Sequence, residues 1–414
     1  MVPTTVRLTM AQALVRWLTV QFTEIDGQKV PLFAGVFGIF GHGNVTCLSE
    51  ALEAVQDQLP TWRGQNEQSM ALAAIGFAKA KRRRQIMVAT SSIGPGALNM
   101  VTAAGTAHAN RLPVLLIAGD TFTNRLPDPV LQQVEHYNNP TVTVNDAFRS
   151  VTRYWDRITH PAQIISSLPQ AVAAMLDPAD CGPAFIALPQ DTQELAFDYP
   201  DVFFAPRLWS IPRPRADRNA LEAAARLLKT AKKPLIISGG GVRYSQAEEA
   251  VAALAAGRGI PVVETIAGKG GLTHYHPVHA GPIGIIGSTS ANALAAEADV
   301  ILAVGTRLGD LSTFGYEFPA SNQTLVHVHQ DAAQRLRRRA PEEPILLGQA
   351  VDGEIDRGRH GTHRILAAID GIDDRERQID ADRAGFEQDV ARCRGRIGPT
   401  AQMDRDAAMA TGGV

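Results

Sequence analysis

Cysteine is scarce in this chain. Three residues, Cys47, Cys181 and Cys393, are scattered over 414 positions with no CxxC and no metal-ligand spacing. That rarity argues against a disulfide framework or a thiolate metal site, and it fits reduced thiols in the cytoplasm. Charge of one sign is also lacking. A formal net charge of -2 gives no electrostatic reason to expect nucleic acid or an acidic membrane as partner. No apolar run approaches the length of a membrane span. The opening MVPTTVRLTMAQALVRWL lacks a continuous apolar core and a small-residue cleavage site, so a secretory signal is not expected.

What is present is an ordinary globular composition, 45% hydrophobic and 20% charged, long enough for two or three domains with their own cores. The stretch TWRGQNEQSMALAAIGFAKA organises the first of them. Asn66 can cap a helix along which Met70, Ala73, Ala74 and Phe77 recur at i, i+3, i+4 and i+7, and the basic run 81–84 closes it. Glu67 then falls in the first turn, where two readings stand. An acid there offsets the helix dipole by about 0.3–1 kcal/mol; alternatively it is a partly buried catalytic carboxylate.

Around this helix the chain alternates. A helix is expected over 9–22, a buried strand over 30–40, the turn Gly41-His42-Gly43-Asn44, and a helix over 45–58. Glycines at such a turn serve either close approach to a ligand or a tight connection, and His42 is either a polar catalytic group or a turn residue. A strand over 85–90 leads into Thr90-Ser91-Ser92-Ile93-Gly94-Pro95-Gly96 and a helix over 97–109; strands follow at 114–119 and 184–188. Prolines 200, 206, 212 and 214 punctuate an aperiodic linker. A second unit repeats the alternation, with a helix over 218–230, strands over 234–238, 260–264 and 300–304, and the turn Gly239-Gly240-Gly241, which lacks GxGxxG spacing. Beyond about residue 330 the chain is dense in Arg, Asp and Glu. The expected architecture is α/β, with two doubly wound parallel-sheet domains at 1–199 and 218–332, a linker at 200–217, and a polar tail at 333–414, partly helical or disordered.

Together these stretches resemble the thiamine diphosphate-dependent decarboxylase and acetolactate synthase superfamily over roughly residues 8–330. Asn66-Glu67-Gln68 is similar to the motif of the cofactor-activating glutamate. Gly94, Pro95, Gly96, Asn99, Gly105, Ala109, Pro113 and Gly119 follow its TS-GPG-N-G-A-P-G pattern. The central domain is matched in Lys233-Pro234, Gly239-Gly241, Gly268-Lys269-Gly270, His276-Pro277 and Val304-Gly305-Thr306-Arg307. Within the superfamily, FAGVFGIFGHGN, RGQNEQSM, NRLPVLLIAGD, DPVLQQVE and TVNDAFRSVTRYWDRI look closest to the branch that hydrolyses a cyclic 1,2-dione in inositol catabolism.

The resemblance implies that the thiazolium C2 of thiamine diphosphate adds to a substrate carbonyl as an electron sink, and that Glu67 bonds N1′ of the aminopyrimidine. It places Gly94, Pro95, Gly96, Asn99, Gly41 and Gly43 at the cofactor, and His42, Gln132 and Gln133 toward the substrate. It implies Mg2+ as well, yet the GDG and Asn-Asn elements that hold metal and diphosphate in the family are not found. Asp352-Gly353-Glu354 and Gly309-Asp310-Leu311 do not supply them. The chain therefore reads as a truncated member. It is expected to form a homodimer or to pair with a full-length homologue, with acetolactate synthase-like carboligation and a non-catalytic partner subunit as alternative roles.

Overall fold

The computed structural model describes residues 4–330, apart from 128, 132 and 135, together with 345–347. These residues form two compact units that divide between Arg213 and Pro214.

The first unit is built on a six-stranded sheet in the order Thr61–Arg63, Phe33–Gly38, Ile86–Ser91, Leu115–Asp120, Ala184–Pro189, Tyr154–Arg157, with every pair parallel. In three of the four inner strands, Ile86–Ser91, Leu115–Asp120 and Ala184–Pro189, all six residues are buried, so both faces are covered and the runs read as largely apolar. The strand order reverses between Phe33–Gly38 and Ile86–Ser91, which opens a crevice at their carboxyl ends.

Several local expectations are corrected. The run 30–40 is two strands, because Pro31 has no N–H to continue a ladder: Gln28–Pro31 joins a small antiparallel pair with Gln21–Ile25, and Phe33–Gly38 enters the main sheet. The helix expected over 97–109 is broken into Pro95–Leu98 and Val101–Asn110, with Asn99 capping the first piece. The helix over 45–58 is confined to Cys47–Glu53. Helix Glu67–Ala80 forms as expected, with Asn66 Oδ1 accepting from the Ser69 N–H at 2.9 Å. Its buried stripe lies one position further round. Met70, Ala71, Ala74, Ile75 and Ala78 are buried, Ala73 is exposed and Phe77 is half-buried. Small residues on the inner face let this helix lie close to strand Ile86–Ser91.

Residues 200–217, expected to be a linker, continue the first unit as far as Arg213. Ala196–Pro200 pairs antiparallel with Thr5–Thr9, Arg207–Trp209 pairs parallel with Gln21–Ile25, and the buried Tyr199 donates its hydroxyl to the Pro161 carbonyl at 3.1 Å.

The second unit is a six-stranded parallel sheet in the order His279–Pro282, Val262–Glu264, Pro234–Ser238, Val300–Val304, Thr324–Val328, Ile345–Leu347. Helix Arg218–Thr230 and strands Pro234–Ser238 and Val300–Val304 have the bounds read from the sequence. Strand Ile345–Leu347 is a correction: it lies within the stretch expected to be an irregular tail, where three apolar residues are too short a run to show period. The rest of the tail expected at 333–414, including the arginine run 335–339 and a polar helix expected over 365–379, lies outside the described residues. The Gly239–Gly241 turn is a packing device. A Cβ on Gly239 would stand 2.3 Å from the Gly305 carbonyl oxygen, and one on Gly241 would stand 2.6 Å from Gly305 Cα. Among the described residues no helix is long and apolar enough to cross a membrane.

Candidate active site

The crevice of the first sheet gathers most of the residues singled out in the sequence. Two loops flank it, 39–46 after strand Phe33–Gly38 and 92–94 after strand Ile86–Ser91. Gly94 has φ 66° and ψ -124°, a conformation that L side chains avoid, and it starts the short helix Pro95–Leu98 with Pro95 in its first turn. The helix ends after one turn at Asn99. The Asn99 side chain there meets Glu67, donating from Nδ2 to Oε2 at 2.7 Å. Glu67 is half-buried at the first position of its helix. Gly96 lies beside them: a Cβ there would stand 3.3 Å from Glu67 Oε1 and 2.5 Å from Ser92 Oγ.

The turn containing His42 is fastened on both sides. A Cβ on Gly41 would stand 3.1 Å from Ser92 Cβ, and the Gly41 N–H donates to the buried Asn44 side chain at 3.0 Å. The His42 carbonyl accepts from the Ile93 N–H at 3.1 Å. Gly43 has φ 96°, and its backbone fills the space where a Gly119 Cβ would go, at 3.0 Å from its oxygen. Gln193 Nε2 donates to the Gly43 carbonyl and to that of Leu188. The turn thus crosses the carboxyl ends of strands Ile86–Ser91, Leu115–Asp120 and Ala184–Pro189. His42 Nε2 is buried there with no hydrogen-bond partner among the described residues. Gln133 Nε2 is likewise buried without a partner, on the segment following Leu115–Asp120. Gln132 lies outside the described residues.

A network that sequence reasoning missed anchors this edge. Arg157 donates from Nε to Asp120 Oδ2 at 2.7 Å, and from Nη2 to both Thr143 Oγ1 at 2.7 Å and Asp146 Oδ2 at 2.8 Å. Burial alone disfavours the Arg157 charge, but the Asp120 and Asp146 carboxylates outweigh it and raise its pKa. Asn145 Nδ2 donates to the Gly119 carbonyl at 2.8 Å, and Asp191 accepts from the N–H groups of Thr123 and Asn124. These partners lie 11 to 68 positions apart in sequence, so no local pattern announces them.

Chemically the crevice offers one carboxylate with an oxygen that no described residue hydrogen-bonds, glycines packed closely on Ser92 and Ile93 beside it, and an unpaired imidazole nitrogen. Those features fit the aminopyrimidine half of thiamine diphosphate. Among the described residues no three His, Cys, Asp or Glu side chains are grouped to hold a metal ion, so no ligand set for Mg2+ is assigned.

Comparison with known proteins agrees with this geometry. Residues 33–139 match the family described as "Thiamine pyrophosphate enzyme, N-terminal TPP binding domain", and residues 221–350 match "Thiamine pyrophosphate enzyme, central domain". The chain is similar to proteins named 3D-(3,5/4)-trihydroxycyclohexane-1,2-dione hydrolase. With that of Geobacillus thermodenitrificans it shares 48% identity over 333 residues, 80% of this chain and 52% of that protein. With those of Clostridium tetani and Bacillus cereus it shares 48% over 309 residues, 75% of this chain and 48% of each relative. The chain spans about half the length of the curated relatives it matches.

Proposed function

The chain belongs to the thiamine pyrophosphate enzyme family, and on that premise we propose that it provides the pyrimidine side of an enzyme that hydrolyses a C–C bond in a cyclic 1,2-dione. The observation that carries the reading is the Glu67 carboxylate, held by Asn99 at the crevice of the first sheet with Oε1 open beside Gly96. When bound, thiamine diphosphate supplies a carbon nucleophile and an electron sink for breaking a bond next to a carbonyl. Glu67 then holds and returns a proton at the pyrimidine N1′. Gly94, Pro95, Gly96, Gly41 and Gly43 shape the ring face. His42 and Gln133 direct unpaired polar atoms toward a hydroxyl-rich substrate. Mg2+, a homodimeric assembly and a cytoplasmic location belong to the same reading.

The test is to mix the chain with thiamine diphosphate, Mg2+ and either trihydroxycyclohexane-1,2-dione or pyruvate, alone and together with a full-length relative. Ring opening that is lost in Glu67→Gln supports the proposal; acetolactate from pyruvate in its place overturns it in favour of carboligation. A second reading is a non-catalytic partner subunit. It predicts a mixed species on size exclusion with a full-length relative and no turnover by the chain alone.

A further inference from the structure

We propose that Asn99 is a positioning residue that gives the two oxygens of Glu67 different tasks, an inference that rests on the reading of Glu67 as the proton-handling group. The Asn99 amide donates to Oε2 at 2.7 Å, and this is the one hydrogen bond to the Glu67 side chain among the described residues. Which end of the amide faces Glu67 follows from chemistry: an ionised carboxylate only accepts, so the NH2 end must meet it. Oε2 is thereby occupied. Oε1 is left as the oxygen that a ring nitrogen can reach, and it lies on the side of Gly96, where a Cβ would come within 3.3 Å of it.

Asn99 lies in the two-residue turn between helices Pro95–Leu98 and Val101–Asn110, where φ -64° and ψ -15° keep a right-handed helical backbone, and from there its amide meets Glu67 at the first position of helix Glu67–Ala80. The terminal torsion of a glutamate is broad, so without a donor either oxygen could face the crevice. Asn99 selects one, and glycine at 96 keeps the approach to the other open. Asn99 thus acts on the carboxylate rather than as a ligand of the cofactor itself.

The test uses the chain without cofactor. In the wild type, the Asn99 side-chain NH2 resonances should move in one step as the carboxylate titrates, and Glu67→Gln should abolish that step. Asn99→Asp is isosteric, so a space-filling role predicts little change at any pH. A donor role predicts two carboxylates in contact, with Tm about 2–4 °C below wild type at pH 7.5. The gap should close in acid, when one carboxyl takes a proton and shares it. In the double variant Glu67→Gln/Asn99→Asp, donor and acceptor are exchanged and the pH dependence of the gap should vanish. A pH-independent gap in Asn99→Asp, or Asn99 resonances that ignore the carboxylate titration, overturns the proposal. The resonance measurement decides if Asn99→Asp does not fold. None of these readouts involves turnover. If Glu67 is not catalytic, ring opening persists in Glu67→Gln while the pairing with Asn99 remains measurable.

Discussion

Gly119→Ala tests how closely the His42 turn is fitted to the sheet beneath it. Gly119 lies in strand Leu115–Asp120, and a Cβ there would stand 3.0 Å from Gly43 O and 3.1 Å from both Gly43 C and Cα. All three are backbone atoms, so no side-chain rotation relieves the contact. Ordinary contact begins some tenths of an ångström further out, and the turn must move by that amount. Gly43 O is held by Gln193, and Gly43 itself rests on Ile93, so the displacement spreads to His42. Overpacking of this kind costs about 1–3 kcal/mol. For a unit of this size each kcal/mol lowers Tm by about 2–4 °C, which predicts a loss of about 2–12 °C in the first unit. Gly76→Ala is the control. It lies exposed on helix Glu67–Ala80 with nothing within 4 Å of its Cβ position, and alanine should stabilise the helix by about 0.5–1 kcal/mol. Differential scanning calorimetry of the two variants gives the answer. Equal Tm values for Gly119→Ala and wild type would refute the close contact.

Other expectations follow from the same coordinates. Arg157→Met leaves Asp120, 1% exposed, without its guanidinium and should cost about 3–5 kcal/mol in urea unfolding; Arg157→Lys should recover only part, since one ammonium cannot reach Asp120, Thr143 and Asp146 together. Burial would raise the Asp146 pKa, but the Thr143 N–H and the Arg157 and Arg149 side chains outweigh it and hold the carboxyl below its usual range. Its stabilisation is therefore present at neutral pH and lost as pH falls through that depressed value, and Asp146→Asn should flatten the acid arm of a stability–pH curve. Burial pushes the Cys181 thiol up to about 12, so peptide mapping after alkylation at pH 8 should find Cys181 unlabelled until denaturant is added.

What was legible in the sequence was whatever a short window can encode. Arg218–Thr230 has a cap, Asp217, whose side chain accepts from the Ala220 N–H, and an amphipathic period; Pro234–Ser238 and Val300–Val304 are apolar runs ended by glycine or serine turns. Such elements keep the bounds that their residues announce. The motif Asn66-Glu67 was legible for the same reason, since cap and first turn are adjacent. Errors arose where tertiary contact chose between local options. Ala73 and Phe77 fit a helical stripe as well as Ala71 and Ile75 do, and the elements packed on the helix, strands Ile86–Ser91 and Phe33–Gly38 and helix Val101–Asn110, decide which pair is buried. The apolar run 30–40 contains one break signal, Pro31, which parts Gln28–Pro31 from Phe33–Gly38.

The site was half legible, and the division has a physical cause. Residues that must adopt an unusual backbone form or admit a ligand, such as Gly94 at φ 66° and Gly43 at φ 96°, are marked by their type. Residues that hold those elements in place carry no such mark. Arg157, Asn145 and Gln193 are ordinary polar side chains until the fold brings them to Asp120, Gly119 and Gly43. Asn99 belongs to both classes. Its place in a GPG-x-x-N pattern put it at the cofactor, and the fold brings its amide to Glu67, 32 residues earlier in the chain. A motif therefore locates a residue more securely than it assigns the atom with which that residue bonds.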